Sequence, residues 1–516
     1  MKANYSKDIF PQMEEMFERI DSLTATLTEL KAQIKEKDAT IKQLNHKVQQ
    51  LEATVEKQNE IIKQLKDENA QLRKENVALI AKNTLLEEEV SRLKSDRNNN
   101  SGNSSNPPST DQAGGKRANA YISRKKTGKQ QGGQKGHKGT TLTKKTAEEL
   151  IASGKCGHTV RICGNPDAGH YTTKYELDIQ IGVEVVEYHI YDGAPVSETP
   201  NTDSEVFYGA KVKALAAELY GVGVVSIKRI QEIISGITNG IINISAGAVY
   251  GFCRKLSKLA APSLHQIEEC ILDGTSAYTD ATYITINGKQ GYIRNISNNK
   301  AVRYYAMEKK NLKNLNNIKL LVKFAGVLIH DHETSMYHFG TDHGECNVHL
   351  IRYLLKNTEE CGTTWSGKLS ELLYEMKEKQ DKAAPDGLSE AEIEDFINKY
   401  NSIINLGRVE NVNTKPKWAK KSEATLLNRL EKYRDNHLLF LKRLDVAFSN
   451  NMSERDLRKC KNRQKVAGGF RNLKGCTMFA DILSLIETAK RQKLNVFDTI
   501  LSVFQSSGSV FSFGTG

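Results

Sequence analysis

The sequence lacks any long apolar run and is poor in the features that mark membrane and secreted proteins. No stretch approaches the roughly 20 apolar residues that a spanning helix needs, and the first residues, MKANYSKDIFPQMEE, contain no apolar signal core. The eight cysteines are scattered over 516 residues, which does not suggest a disulfide framework. These absences argue against membrane insertion and favour a cytoplasmic protein.

Positive charge is in excess. The chain has 74 Lys and Arg against 62 Asp and Glu, a net charge of +12. This excess favours an acidic partner, either nucleic acid or an anionic surface, and says nothing about fold. The length is enough for roughly three or four domains.

A heptad repeat runs from Met13 to Leu93 without a glycine or proline. β-Branched residues at a positions and leucines at d positions favour a parallel dimer. Asn69, Asn76 and Asn83 occupy three consecutive a positions, where each can hydrogen-bond to its own copy. An intramolecular helical hairpin is the alternative, but no turn residue interrupts the run. We therefore predict a parallel coiled coil over residues 10–96 that makes the chain a homodimer.

A flexible linker and a basic arm are predicted over residues 97–145. The linker is rich in Asn, Ser, Gly and Pro. Between Lys116 and Lys145 lie ten lysines or arginines, one histidine and no acid. Such a segment neutralises phosphates, so we predict DNA binding without sequence preference, with a solubilising linker as the alternative. The predicted DNA-binding residues of the arm are Lys116, Arg117, Arg124, Lys125, Lys126, Lys129, Lys135, His137 and Lys138.

Residues 146–205 predict a small β module of a degenerate zinc-finger type. The segment YTTKYELDIQIGVEVVEYHIYDG alternates well enough for two strands. Zinc-type ligands precede it, but their spacing, C-x-H-x4-C-x6-H, is irregular, and loop cysteines without a metal are an equal alternative. The candidate zinc ligands are Cys156, His158, Cys163 and His170.

Residues 206–272 turn helical and resemble a helix-turn-helix. VSIKRIQEIISGITNG and the following IINISAGAVYGFCRKLSKLA read as helix, turn, helix, with Ser226 and Ser245 as N-caps. A DNA-reading motif is one interpretation. A helical connector is the other, because the second helix offers few base-reading side chains.

After Asp273 the pattern predicts strands in a β-β-β-α-β order. The strands are YTDATYITI, KQGYIRNIS, AVRYYAME and GVLIHD, with a helix around residues 314–323 before the last. This is the order of an RNase H-like α/β core, in which the first and fourth strands lie side by side. Asp280 on the first strand and Asp331 after the fourth would then converge. Glu454 follows on a later helix, in NNMSERDLRK.

Three converging carboxylates predict phosphoryl-transfer chemistry. Hard oxygen ligands suit Mg²⁺. Two ions roughly 3.5–4 Å apart can clamp the attacking and leaving oxygens of a displacement at phosphorus. Glu333 shares the strand parity of Asp331 and is a rival carboxylate, whereas His330 and His332 should face away.

Several motifs resemble those of the DDE transposases of the insertion sequence 66 family. They are SSNPPSTD, GGQKGHKG, YTDAT, GVLIHDHETSMYHFG, HGECNVHLIRYL, FSNNMSERDLRKCKNRQKVAGGFRN and SLIETAKRQKLNVFDTI. The resemblance covers nearly the whole chain, including the leading coiled coil. Ala281 departs from it, since the family usually has Glu there. HIYDGAPVS departs as well, since it replaces a second cysteine pair of the family's zinc module.

The resemblance implies catalysis by Asp280, Asp331 and Glu454 with Mg²⁺, for which Mn²⁺ can substitute. The core would consist of residues 273–350 and 441–505, with a helical insertion at 351–440. The partners implied are double-stranded DNA at element ends and target, and a second copy of the chain. Higher-order assembly and helper proteins are left open. The location implied is the bacterial cytoplasm, at the nucleoid.

The residues around the third acid are further candidates. His349 and Arg352, after Cys346, would contact the scissile phosphate, support the metal site or simply pack. Asn450, one turn before Glu454, would orient the carboxylate or DNA. The predicted DNA contacts of this region are Arg352, Asn450, Arg455, Arg458, Lys459 and Arg463.

Two other functions fit the same motifs. One is an RNase H-like nuclease that cuts DNA without joining it. The other is a catalytically inactive, domesticated protein that binds or bridges DNA.

Overall fold

The computed structural model describes residues 26, 28, 31, 35, 55–98, 143–154, 156–163, 169–170, 172–179, 181–192, 195, 199–200, 202, 204–506 and 508–513. The chain divides into two compact units after Ser91. All nine predicted DNA-binding residues of the basic arm lie outside the described residues.

The elements are numbered here in chain order. The longer helices before the sheet are α1 (Val55–Asn98), α2 (Lys144–Ala152), α3 (Ala210–Gly221), α4 (Ile227–Ile237), α5 (Ala246–Leu259) and α6 (Ala261–Leu272). The sheet region contains β1 (Ser276–Ile286), β2 (Lys289–Ser297), β3 (Val302–Met307), α7 (Leu312–Leu315), α8 (Lys319–Lys323), β4 (Val327–His330), a 3-10 helix (Thr334–His338) and β5 (Asp342–Glu345). The later helices are α9 (Asn347–Cys361), α10 (Trp365–Ala383), α11 (Glu390–Asn411), α12 (Lys417–Lys432), α13 (Arg434–Lys442), α14 (Asn451–Asp456), α15 (Arg458–Ala467), α16 (Leu473–Arg491) and α17 (Val496–Gln505).

Helix α1 carries the C-terminal half of the heptad repeat. Its 44 residues would span about 65 Å at ~1.5 Å per residue. The d-position leucines Leu65, Leu72 and Leu79 are 49%, 50% and 42% exposed, as expected of a seam seen in one chain. Of the earlier heptads, residues 26, 28, 31 and 35 are also helical, and the rest lie outside the described residues. Pairing into a coiled coil stays a prediction.

The segment after the basic arm differs from its prediction. Helix α2, which we did not predict, begins where the Thr143 hydroxyl accepts a hydrogen bond from Thr146 N at 3.2 Å. The described residues between 172 and 192 contain no strand, although two were predicted there. Their apolar side chains, such as Ile179 and Val185, are 84% and 91% exposed. Alternation alone does not make a strand, because a strand needs a partner ladder and a covered face.

A five-stranded sheet has the order β3-β2-β1-β4-β5. β2 pairs antiparallel with both β1 and β3, whereas β4 pairs parallel with β1 and with β5. The predicted β-β-β-α-β succession and the adjacency of the first and fourth strands are confirmed. The fifth strand was not predicted.

The sheet is buried on both faces along β1 and β4. Ala277 and Leu328 belong to one hydrophobic cluster. Tyr278, Val327 and Ile329 belong to another. Side chains alternate between the faces of a strand, so each strand feeds both clusters. Strand β1, which carries Asp280, and strand β4, which precedes Asp331, are therefore packed on both faces of the sheet.

The first cluster joins the sheet to helices α3–α6, α16 and α17. Ser226 and Ser245 are N-caps as predicted, since their hydroxyls accept hydrogen bonds from Arg229 N at 3.4 Å and Ala248 N at 3.1 Å. Helices α4 and α5 share this core with the sheet. That arrangement favours the connector interpretation over a separately folded DNA-reading motif.

The second cluster joins the other face to helices α9–α13. The amphipathic helices predicted between residues 351 and 440 are confirmed. Trp365, fully buried, donates its indole N–H to Glu423 at 2.6 Å inside this bundle. Among the helices that the structure describes, none combines the length and apolarity required to cross a bilayer.

Candidate active site

Asp280 and Asp331 lie at matching positions on neighbouring strands. The parallel register pairs Tyr278 with Ile329, and each Asp stands two residues further along. Because side chains alternate, both carboxylates point to the face on which Tyr278 and Ile329 pack. The register of β1 and β4 therefore supports the predicted proximity of Asp280 and Asp331.

The surroundings of Asp280 favour its protonated form. Burial, and then the negative charge of Asp331, raise the pKa of Asp280 to about 7. The carboxylate accepts a hydrogen bond from Ala281 N at 2.6 Å, which opposes the rise. A carboxyl group whose neighbour is another carboxylate holds a proton unless a cation joins them.

His349 connects Asp331 to Glu454. It lies in the first turn of α9, with Nδ1 3.2 Å from Asp331 Oδ1 and Nε2 3.5 Å from Glu454 Oε1. Burial disfavours the imidazolium, but Asp331 and Cys346 outweigh it and raise the pKa of His349 well above its usual value. Burial likewise opposes ionisation of Asp331, but His349 and Asn450 prevail and lower the pKa of Asp331.

Asn450 fixes Asp331 from the other side. It is fully buried, and its Nδ2 donates to Thr279 O at 2.9 Å and to Asp331 Oδ1 at 3.3 Å. Its backbone N–H donates to Cys346 Sγ at 3.2 Å. We predicted that Asn450 would orient the Glu454 carboxylate or DNA, whereas in the structure its side chain contacts Asp331 and is fully buried.

Helix α14, which carries Glu454, is anchored to the sheet by Asn295. Asn295 Oδ1 accepts from Asp280 N at 3.1 Å, while its Nδ2 donates to Ser453 Oγ and to Asp456 Oδ2, each at 3.1 Å. Arg491 Nη2 donates to both oxygens of Asp456 at 2.6 Å. Sequence reasoning missed these residues. The signal for Asp456 was available, since it and Glu454 are the only acids in residues 450–467.

Comparison with known proteins decides the family. Residues 206–478, more than half of the chain, match the Transposase IS66 family. The chain belongs to this family. Residues 52–143 match a family of unknown function (DUF6444), and the curated proteins contain no match. The family resemblance inferred from the motifs is confirmed.

The cations that were predicted to contact DNA in this IS66-family chain differ in exposure: some are open to solvent and others are bonded to the protein. Arg455 and Arg458 are exposed beside Glu454, where DNA can reach them. Arg352 has Nη1 3.1 Å from His349 Nε2, so it borders the site itself.

Lys459 and Arg463 differ from the prediction that they contact DNA. Lys459 Nζ donates to Val222 O at 2.9 Å. Arg463 is only 6% exposed, lies over the Tyr220 ring at 4.5 Å from its centroid and donates to Val225 O at 3.2 Å. Both cations satisfy carbonyls after helix α3 and hold α15 against it.

The rival carboxylate is engaged elsewhere. Glu333 accepts a hydrogen bond from Arg294 Nη2 at 2.6 Å, and Arg294 is fully buried. His330 and His332 face away from Asp331 as predicted: His330 lies 3.3 Å from His343 Nδ1, and His332 hydrogen-bonds to Glu345.

The four candidate zinc ligands do not converge. Cys156, His158, Cys163 and His170 are all exposed. In the part of the chain that the structure describes, no three of them bring ligand atoms within 4.8 Å of one another. The group that does so there consists of Asp331, Cys346 and His349.

The three predicted acids carry the donor type of a hard divalent cation, but within the described residues their oxygen atoms do not all lie within 4.8 Å of one another. Asp280, Asp331 and Glu454 offer oxygen donors of the kind that Mg²⁺ prefers. Glu454 Oε1 is buried, and within the described residues it makes no hydrogen bond. Its ion-pair partner among the described residues is His349, whose Nε2 lies 3.5 Å away.

Proposed function

We propose that the chain is a DNA transposase that cleaves DNA at the ends of an insertion sequence and joins the freed ends to target DNA. The catalytic groups would be Asp280, Asp331 and Glu454. One observation carries the proposal: His349 contacts both Asp331 and Glu454, while the parallel register of β1 and β4 puts Asp280 level with Asp331. These contacts support the assignment of three acids that are far apart in sequence to one site.

The fold of this core would be RNase H-like. The order β3-β2-β1-β4-β5, with only β2 antiparallel to the rest among the described strands, supports this assignment. The α/β core with its helices on both faces is compatible with it. The helices between residues 351 and 440 would form the insertion that separates Asp331 from Glu454.

The three carboxylates would hold Mg²⁺, with Mn²⁺ as a substitute. When bound, the ion would polarise the phosphodiester and favour ionisation of the attacking water. The residues of the chain would do the rest. Asn450 fixes the orientation of Asp331, and Asn295 fixes the strand at Asp280 and the helix at Glu454.

The reaction would proceed in two displacements at phosphorus. Water attacks a phosphodiester at the element end, the new P–O bond forms, and the 3′-oxygen leaves and takes a proton. That 3′-hydroxyl then attacks a target phosphodiester, whose own 3′-oxygen leaves. Arg455 and Arg458, exposed beside Glu454, would hold the flanking phosphates.

Two element ends must be held together for joining, and a dimer supplies two sites. The half-exposed leucine seam of α1 supports pairing through the coiled coil.

The proposal is tested with purified full-length chain and DNA that carries the ends flanking its own gene. We expect Mg²⁺-dependent strand cleavage and joined products for the unmodified chain. Glu454→Gln should reduce both by at least about a thousandfold, as expected for loss of a group that stabilises the transition state. Glu308→Gln is the matched control, because Glu308 is exposed at the end of β3, and it should retain activity.

The rival functions give different outcomes. Cleavage without any joined product, even with pre-cleaved ends, would make the chain a nuclease. Undiminished transposition by Asp280→Asn in cells would show that the carboxylate site is not used, and would favour a protein that only binds or bridges DNA.

A further inference from the structure

Beside the carboxylate site lies a cluster of a different chemical character. Asp331, Cys346 and His349 offer one oxygen, one sulfur and one nitrogen whose ligand atoms all lie within 4.8 Å of one another. Cys346 and His349 are 1% and 8% exposed, and the Asp331 side chain is 19% exposed. The cluster is therefore buried, with an approach from the side of Asp331.

The two distances from His349 to the other ligand atoms fit a tetrahedral ion. His349 Nδ1 is 3.2 Å from Asp331 Oδ1 and 3.4 Å from Cys346 Sγ. Metal bonds of about 2.0–2.3 Å at tetrahedral angles place ligands about 3.3–3.6 Å apart. The third pair, Asp331 and Cys346, has ligand atoms within 4.8 Å of each other, so these two side chains are the ones that would close in on the ion.

The surroundings are those of a metal-bound thiolate and imidazole. Asn450 N–H donates to Cys346 Sγ at 3.2 Å, and Cys346 is the N-cap of the 15-residue helix α9, whose dipole favours negative charge. On the far side of the imidazole, His349 Nε2 lies 3.1 Å from Arg352 Nη1 and 3.5 Å from Glu454 Oε1. A carboxylate behind a ligating histidine is a common outer partner in such sites, and here it shares Nε2 with the guanidinium.

We propose that Asp331, Cys346 and His349 form a binding site for a thiophilic divalent ion of the Zn²⁺ or Co²⁺ type. A thiolate selects these ions over Mg²⁺. Three protein ligands leave a fourth position open, as in zinc sites that bind water or substrate. Asp331 is the ligand that this site shares with the proposed carboxylate site, but the inference does not depend on the proposed DNA chemistry.

The test is a Co²⁺ titration of the full chain carrying Cys156→Ser and Cys163→Ser, which removes the other candidate zinc ligands. We expect about one bound Co²⁺ per chain, a thiolate-to-cobalt charge-transfer band, and loss of that band when Zn²⁺ is added. Cys346→Ser should abolish the band. Asp331→Asn and His349→Gln should weaken binding at least tenfold. Cys460→Ser, in the buried core, is the matched control and should keep the band.

Circular dichroism melting in the absence of metal shows whether each variant folds. X-ray absorption of the Zn²⁺-loaded chain needs no substitution at the site and should give one sulfur with nitrogen and oxygen ligands. No thiolate band, a band that survives Cys346→Ser, or a zinc shell without sulfur would overturn the proposal. All of these measurements are made without DNA, so a failure to cleave DNA would count against the proposed function alone.

Discussion

At the scale of single residues, the carboxylates owe their positions to amide and guanidinium groups outside the motifs. Asn295 touches the backbone of Asp280 and the side chains of Ser453 and Asp456. Arg491, the last residue of α16, donates hydrogen bonds to both carboxylate oxygens of Asp456 at 2.6 Å. The helix that carries Glu454 is thus tied to two strands and to the closing helix.

Asp456→Ala should destabilise the body of the protein. The Asp456 and Arg491 side chains are 9% and 15% exposed, and removal of one partner leaves a buried charge unpaired. We expect a loss of about 3 kcal/mol, measured as a lower urea midpoint for the residues that pack around the sheet. The matched control is Asp395→Ala, which breaks the exposed pair with Lys399 and should cost less than about 0.5 kcal/mol. Equal midpoints for the two variants would contradict the prediction.

At the scale of elements, β5 couples the helical insertion to the end of β4. Glu345, at the end of β5, is buried and accepts from Arg429 Nη2 of α12 at 2.7 Å. It also accepts hydrogen bonds from Tyr337 and His332. His332 follows Asp331 directly and has a positive φ of 47°, a conformation that surrounding contacts must hold.

Glu345→Gln should slow DNA cleavage without weakening DNA binding. The neutral amide loses the charge that holds Arg429 and His332, so the turn after Asp331 relaxes and misplaces its carboxylate. We expect a fall in the cleavage rate of about tenfold to a hundredfold, because displacements near 1 Å have effects of that size. Glu410→Gln is the control, since Glu410 accepts hydrogen bonds at the start of α10, from Thr364 N at 2.7 Å, Trp365 N at 3.2 Å and the Thr364 hydroxyl. Normal single-turnover rates for Glu345→Gln would refute the coupling.

The sequence predicted those elements whose own side chains carry the signal. Strands β1 and β4 were predictable because their apolar residues alternate or run together and are buried. Strand β5, DHGE, was not, because it is polar and becomes buried through distant partners on α12, α13 and the 3-10 helix. The prediction of strands between residues 172 and 192 was wrong for the opposite reason: their polar and apolar residues alternate, but no other element covers the apolar side chains among the described residues.

The sequence predicted the acids of the candidate site but not the side-chain contacts that join them. Asp280, Asp331 and Glu454 were identified through motifs that resemble a known family. The contacts of His349 and Asn295 join segments up to about 160 residues apart in sequence. Such contacts depend on how the layers stack, which no local pattern encodes. For the same reason, the sequence alone predicted that Arg463 contacts DNA, whereas its guanidinium lies over the Tyr220 ring.

At the scale of the whole molecule, buried histidines make stability depend on pH. Burial, helped by Arg429 and opposed by Glu345, lowers the pKa of His437 to about 3. In the unfolded chain His437 takes up a proton near pH 6.5, so the unfolded state binds more protons between these values. The contribution of neutral His437 to stability is therefore complete above about pH 6.5 and is lost as the pH falls toward 3.

His437→Gln should flatten that dependence. Between pH 6.5 and 5 the unmodified chain should lose up to about 1.4 kcal/mol more per pH unit than the variant, the linkage value for one proton. Urea midpoints at closely spaced pH values measure the difference. His265→Gln is the control, because His265 is largely exposed and should leave the slope unchanged. Parallel curves for His437→Gln would show that the neutral histidine does not contribute.

The last prediction concerns the predicted coiled coil of helix α1. Asn69, Asn76 and Asn83 occupy consecutive a positions on α1, where asparagine selects one register and oligomer at a cost in stability. Replacing all three by valine should raise the melting temperature of the helix signal and replace a single dimer by a mixture that includes larger oligomers in sedimentation equilibrium. Thr84→Val, at the neighbouring b position, should change neither. A triple variant that stays strictly dimeric would mean that the β-branched and leucine positions, rather than the asparagines, set the oligomer. If the unmodified chain sediments as a monomer, the parallel-dimer prediction itself is wrong.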